Sequence, residues 1–150
     1  MPRGVSSSTA HFLNVDLDIY SKYNLRPLVD WLGKKVIVLY LGRNRGTYCA
    51  HLEIAKNTTT ADSTIRAFCR LIEALPQAER AWWNRATVRS FSIGVQAGSK
   101  PNPLDVVIQP QTIRAVADLA AQIVFTTYAP EQSKKSELQT GKSSRRVRAI

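Results

Sequence analysis

The sequence predicts an α+β fold in which a mostly antiparallel sheet carries helices packed on one face. Stretches of alternating apolar and polar residues, typical of half-buried strands, are interleaved with stretches whose apolar residues recur every three or four positions, as in amphipathic helices. The connections between them are short. Their order is strand, helix, strand, strand, helix, strand, which is the βαββαβ order of ferredoxin-like domains, here followed by an added helix and strand.

The first predicted strand spans residues 14–20, where apolar and polar residues alternate. Its apolar members are Val15, Leu17 and Ile19. Successive strand residues point to opposite faces of a sheet, so Asp16 and Asp18 project together from the polar face. A short helix over residues 25–32 follows, and Gly33 suits its C-terminal end.

The next two strands are predicted to form a hairpin. Residues 36–41 are apolar throughout and rich in β-branched side chains, a composition typical of a central strand covered on both sides. A turn at residues 42–46 leads into a strand at residues 47–54. Two sets of residues alternate in that strand: Ala50, Leu52 and Ile54 on the covered face, and Cys49, His51 and Glu53 on the polar face.

The strongest helix pattern covers residues 60–75, where Thr60 or Asp62 can cap the start. Its apolar stripe consists of Ile65, Phe68, Cys69, Ile72 and Leu75. Pro76 ends this helix. A further helical segment contains Trp82 and Trp83, which point about 100° apart on a helix. One of them therefore packs inward, and the other lies at a rim or contact surface.

The remaining elements complete one domain over residues 11–130. Strands are predicted at residues 88–95, 106–108 and 123–128. A third helix begins near Pro110. Its inward residues are predicted to be Ile113, Val116, Ala117 and Ala120.

Both ends of the chain differ from this domain. Residues 1–10 are small and polar, as in a flexible arm. Residues 131–150 carry six Lys and Arg against two Glu and few apolar residues, so we expect a disordered basic tail.

Composition limits the class of protein. The chain has 150 residues, a net charge of +10 and 44% hydrophobic residues. No apolar run reaches the roughly 18 residues that a membrane span needs, and residues 1–10 lack the apolar core of a secretory signal. We therefore expect a cytoplasmic protein that does not enter a membrane. Cys49 and Cys69 belong to no spaced framework and are expected to be free thiols.

The polar sheet face carries a cluster of chemically active side chains. The candidate site consists of Asp16, Asp18, Cys49, His51 and Glu53, with Arg89 as a charge partner. Carboxylates and imidazole can hold a divalent cation or exchange protons with a substrate. The alternative is an exposed face solvated by water. No metal-binding motif of defined spacing is present.

The net positive charge of the chain also raises the possibility of nucleic-acid binding. The βαββαβ order also occurs in RNA-recognition domains, but Thr47 and Cys49 occupy the strand positions where base-stacking aromatic residues belong, and carboxylates repel phosphate. The sheet face is therefore excluded as an RNA surface. Nonspecific electrostatic binding remains possible at a set of basic residues, the alternative being a solubilising tail. This set is Arg43, Arg45, Lys134, Lys135, Arg145, Arg146 and Arg148.

The preferred interpretation is a small, non-catalytic binding or regulatory module that acts through a protein partner or its own dimer. A bacterial immunity or accessory protein has this size and type. Trp82 and Trp83 are the candidate partner surface, because tryptophan is enriched at interfaces. No cofactor is predicted. The alternatives are a divalent-metal enzyme on the polar face and nonspecific nucleic-acid binding through the basic tail.

Overall fold

Five strands form one mixed sheet in the computed structural model, which describes residues 8–130. The strands are β1 (His11–Ser21), β2 (Val36–Asn44), β3 (Thr47–Ile54), β4 (Val88–Gln96) and β5 (Gln122–Tyr128). They lie in the order β2-β3-β1-β4-β5. The pairings β1–β3, β1–β4 and β2–β3 are antiparallel, whereas β4–β5 is parallel. The predicted α+β class is confirmed.

Four α-helices connect the strands of the described region. They are α1 (Arg26–Leu32), α2 (Ala61–Glu73), α3 (Gln77–Arg85) and α4 (Pro110–Asp118). Thr60 caps α2 because its hydroxyl accepts the Ser63 N–H at 3.1 Å, while the Ser63 hydroxyl accepts the Thr60 N–H at 3.3 Å. Pro76 separates α2 from α3, since it has no N–H with which to continue the helix.

The core lies between one face of the sheet and the helices. In its central row Leu17 pairs with Leu52 on one side and Phe91 on the other, and all three are fully buried. Helix α2 contributes the buried residues Ile65, Phe68, Cys69 and Ile72. The apolar residues of β1 and β3 that were predicted to point inward therefore do face the core.

Three sequence predictions about individual elements are wrong. β2 is an edge strand, not a central one, because within residues 8–130 its only neighbour in the sheet is β3. Residues 106–108 form no strand. In α4 the buried residues are Thr112 and Val116, while Ile113 is 51% exposed. The inward stripe of α4 thus begins one residue earlier than the apolar pattern indicated.

The ends of the chain are described only in part. Residues 1–7 and all of the predicted basic tail, 131–150, lie outside the described residues, so both tail predictions stay predictions. At the end of the predicted arm, the Ser8 carbonyl accepts the Ser99 N–H at 2.9 Å. Within residues 8–130, no helix has the length and apolar character needed to cross a membrane.

Candidate functional site on the open sheet face

The face of the sheet opposite the helices, here called the open face, brings four of the predicted site residues together. Strand register places Asp16 opposite Glu53 and Asp18 opposite His51. On its other side β1 pairs with β4, which sets Ser92 beside Asp16. Adjacent residues of paired strands share a face, so the carboxylates and the imidazole lie in two neighbouring rows.

His51 is held by Asp18 and by two aromatic rings. Its Nδ1 lies 2.6 Å from Oδ1 of Asp18, and the Ser92 hydroxyl donates to Oδ2 of the same carboxylate at 2.7 Å. The rings of Tyr20 and Tyr40 each have their centroid 5.8 Å from that of the imidazole. A carboxylate that engages one ring nitrogen orients the other, so Nε2 is the nitrogen left to a ligand.

Asp16 and Glu53 form the second pair. The Asn14 amide bridges them by donating to Oδ1 of Asp16 and Oε1 of Glu53, both at 3.0 Å. Partial burial, together with the negative charges of Glu53 and Asp18, raises the pKa of Asp16 to about 6, while His51 acts in the opposite direction. Asp16 therefore exchanges its proton near neutral pH, unlike an ordinary surface carboxylate.

The open-face residues do not assemble into a metal centre. Across residues 8–130, no group of three or more His, Cys, Asp or Glu side chains is placed to hold a metal ion. The four side chains instead form two separate pairs. Cys49 is buried, and its thiol lies 3.8 Å from the Thr47 carbonyl. The arrangement offers hydrogen-bond acceptors and exchangeable protons, which suit polar or cationic ligand groups.

Arg89 does not belong to this site, so that prediction is wrong. It pairs with Ile19 and therefore points to the helical face of the sheet. Its guanidinium donates to the carbonyls of Trp83 at 3.0 Å, Ala86 at 2.8 Å and Ala120 at 2.9 Å. Arg89 thus joins the C-terminal ends of α3 and α4, where helical carbonyls lack partners.

The two tryptophans divide as their angular separation predicts. Trp83 is fully buried, and its indole N–H donates to the Leu119 carbonyl at 3.0 Å. Trp82 is half-buried beside Tyr23 and the guanidinium of Arg85. Only Trp82 is therefore available to a partner.

Two of the basic residues proposed for nucleic acid, Arg43 and Arg45, lie in the described part of the chain. The Arg43 guanidinium lies 5.3 Å from the centroid of the Tyr48 ring, and Arg45 occupies the β2–β3 turn with φ of 49°. The five predicted contacts of the tail lie outside the described residues. These are Lys134, Lys135, Arg145, Arg146 and Arg148.

Sequence reasoning missed four residues of the open face. Asn14 and Ser92 hydrogen-bond the predicted carboxylates, and Tyr20 and Tyr40 flank His51. The alternation in β1 and β4 places Asn14, Tyr20 and Ser92 on this face. Which of them touch depends on strand register, which a single sequence does not specify.

An apolar edge adjoins the open face. Four consecutive residues of β2, here called the β2 edge, are half exposed: Ile37 50%, Val38 45%, Leu39 51% and Tyr40 45%. Ile37 and Tyr40 share the open face with their partners Glu53 and His51, whereas Val38 pairs with buried Leu52. The edge is therefore apolar on both sides of the sheet.

Comparisons with protein-family models, with curated proteins and with solved structures found no match to this chain. The assignment of function accordingly rests on the geometry of the open face and the β2 edge.

Proposed function

We propose that this chain is a small, non-catalytic binding module of the cytoplasm that associates with a second copy of itself through the β2 edge. The observation that carries the proposal is the run of four half-exposed, large apolar side chains on a strand that pairs on one side alone in the described part of the chain. An unpaired edge leaves backbone N–H and C=O groups available to another strand. Pairing with a second strand satisfies those groups and covers the apolar side chains together.

The β2 edge has few of the features that protect edge strands from pairing. Charged residues, proline and bulges serve that purpose in other sheets. The six residues from Val36 to Leu41 include no charge and no proline. A bulge interrupts the pairing between Val38 and Tyr40, but it leaves both sides of the strand apolar.

A second copy is the occupant that this chemistry favours. Two identical strands that pair about a twofold axis present the same surface to each other. Because the β2 edge is uncharged, the net charge of +10 does not place like charges opposite one another there. Such a dimer continues the five-stranded sheet into a ten-stranded one, with Tyr40 and the adjacent His51 close to the new interface.

The test is the mass of the full chain in solution, measured by sedimentation velocity over a concentration series. We expect twice the monomer mass of 16.7 kDa. The double variant Ile37→Lys, Leu39→Lys replaces exposed side chains and should keep the native circular-dichroism spectrum. It should weaken dimerisation at least tenfold, because two charges would be desolvated beside their symmetry copies.

The opposite edge supplies a matched control. Phe125 of β5 is 61% exposed, so Phe125→Lys makes the same kind of substitution on the other edge strand and should leave the dimer intact. A native chain that is monomeric at every concentration overturns the proposal. A dimer that Phe125→Lys disrupts while the β2 variant does not would also overturn it.

An enzyme is the second candidate, and the 2.6 Å contact between Asp18 and His51 favours it. A carboxylate that orients an imidazole is a common arrangement for a general base. The divalent-metal version has less support, because the ligands lie in two pairs and not in one set of three. Calorimetric titration of the chain with Mg²⁺ and Mn²⁺ tests that version, and no heat at millimolar metal would remove it.

The ferredoxin-like assignment is part of the same proposal. The order β2-β3-β1-β4 with antiparallel neighbours supports it, as does the helix that links β1 to β2. Helix α3, which lies between α2 and β4, and the parallel β5 are additions to that pattern. Nucleic-acid binding through residues 131–150 stays a proposal that rests on charge alone.

A further inference from the structure

A basic cavity lies on the far side of the β2–β3 hairpin from its turn. Strand pairing brings the start of β2 to the end of β3, where the Ala55 N–H donates to the Lys35 carbonyl at 3.0 Å. This contact sets Lys34 and Lys35 beside Lys56. Helix α2 packs over the same corner and adds Arg70, so three segments distant in sequence supply four cations to one cavity of about 410 Å³.

Half of the residues that line this cavity are apolar. Ile54 and Leu71 line it together with two alanines. Leu71 and Ala67 lie four residues apart on α2, so they form one stripe beside the buried face of that helix. The cavity thus combines apolar and cationic lining residues, a combination suited to an organic anion.

A smaller cavity of about 270 Å³ continues from the first and shares Lys56, Ala67 and Arg70 with it. Its remaining lining includes the hydroxyl residues Thr58, Thr59 and Ser63. Hydroxyl and cationic groups together are typical phosphate ligands. The Thr58 hydroxyl bonds that of Thr64, and the Ser63 hydroxyl bonds Thr60, so Thr59 is the hydroxyl residue that this cavity offers most directly. The shared pair of Lys56 and Arg70 therefore lies between an apolar compartment and a polar one.

The four cations lack carboxylate partners. No Asp or Glu lines either cavity. Among the residues that the structure describes, ion pairs join Arg26 to Asp30, His51 to Asp18 and Arg66 to Asp62, and none involves Lys34, Lys35, Lys56 or Arg70. Like charges that converge without a counter-charge repel one another, and a bound anion removes that repulsion.

We propose that this basic cavity binds a small phosphorylated organic molecule of about mononucleotide size. The phosphate lies between Lys56 and Arg70, beside the hydroxyl residues, and the organic body lies on Ile54 and Leu71. The combined volume falls within the range of small-molecule sites. A nucleic-acid strand would need a continuous basic track, whereas these four cations lie together at one corner of the fold, which suits a discrete small anion better. This site is separate from the β2 edge and does not depend on self-association.

The test is isothermal titration calorimetry of the full chain at low salt with three probes: adenosine monophosphate, adenosine and inorganic phosphate. We expect adenosine monophosphate to bind at least tenfold more tightly than either fragment, because only it contacts both compartments. Arg70→Gln and Lys56→Gln should each weaken its binding at least tenfold.

Arg114→Gln is the matched control. Arg114 is exposed on α4 and lines none of the cavities described here, so this variant changes the net charge equally and should leave binding unchanged. If Arg114→Gln weakened adenosine monophosphate binding as much as the cavity variants do, the binding would be nonspecific electrostatic attraction, and the proposal would be overturned. It is also overturned if adenosine monophosphate gives no heat at millimolar concentration. Binding of only a single-stranded oligonucleotide, with affinity that grows with its length, would assign the surface to nucleic acid instead.

Discussion

The two faces of the sheet place neighbouring residues in opposite environments. On the helical face, Leu17 lies between Leu52 and Phe91, and burial of apolar surface stabilises all three. One residue earlier, Asp16 lies opposite Glu53 on the open face, where two carboxylates depend on one Asn14 amide. The comparison teaches that apolar packing on the helical face stabilises the fold, whereas the open face holds carboxylates close enough to repel one another.

The largest predicted effect concerns the helical face. Trp83→Ala removes a fully buried ring and its hydrogen bond to Leu119, so we expect a loss of about 3–5 kcal/mol in the free energy of unfolding. Trp83→Phe keeps most of the ring volume but leaves the Leu119 carbonyl without its donor, and should cost about 1–3 kcal/mol. Urea denaturation followed by circular dichroism measures both.

Trp82→Ala is the control for this prediction. Trp82 is half-buried at the rim of the same helix, so its removal should cost only about 1 kcal/mol, because it buries less apolar surface. Equal losses for the two tryptophans would show that α3 does not separate an inner from an outer face, and the comparison would fail.

Pattern alone predicts the helical face well. Alternation assigned Leu17 and Leu52 to the interior because burial imposes a strict period on a strand. The same logic failed for β2, because an apolar run has the same pattern in a central strand and in an exposed edge strand. The prediction for Arg89 failed for another reason. Its guanidinium donates hydrogen bonds to carbonyls at the C-terminal ends of α3 and α4, and the placement of those carbonyls depends on tertiary packing.

A smaller effect is expected on the open face. Asp18→Ala removes the acceptor of both His51 and Ser92, yet both partners are only partly buried and can turn to water. We expect a loss of about 1–2 kcal/mol in the free energy of unfolding. Ser92→Ala removes one of those hydrogen bonds and should cost about half as much. A loss as large as that of Trp83→Ala would show that the open face also carries the stability of the fold.

The candidate site was predictable as a set of residues but not as a set of contacts. Asp16, Asp18, His51 and Glu53 follow from alternation within two strands. Their division into one imidazole pair and one carboxylate pair follows from the β1–β3 register. The basic cavity was not predicted, because its cations come from three separate segments, at residues 34–35, 56 and 70, with no motif spacing to connect them.

The smallest predicted effect has the opposite sign and depends on pH. The pKa of Asp16 is about 6 in the folded chain, above its ordinary value of 3.8. Between about pH 4 and pH 6 the folded chain therefore holds more protons than the unfolded chain, so this residue lowers stability as pH rises through that window. Asp16→Asn cannot lose a proton, and it should be more stable than the native chain at pH 7 by about 1 kcal/mol, after allowance for solvent screening of a partly exposed group. Urea unfolding of both proteins at intervals from pH 4 to pH 8 measures the difference, which should vanish toward pH 4.

Glu53→Gln removes a neighbouring negative charge and should shift the Asp16 titration, followed by NMR, to lower pH. A stability difference between Asp16→Asn and the native chain that does not change with pH would contradict the assignment of a perturbed carboxyl to the open face.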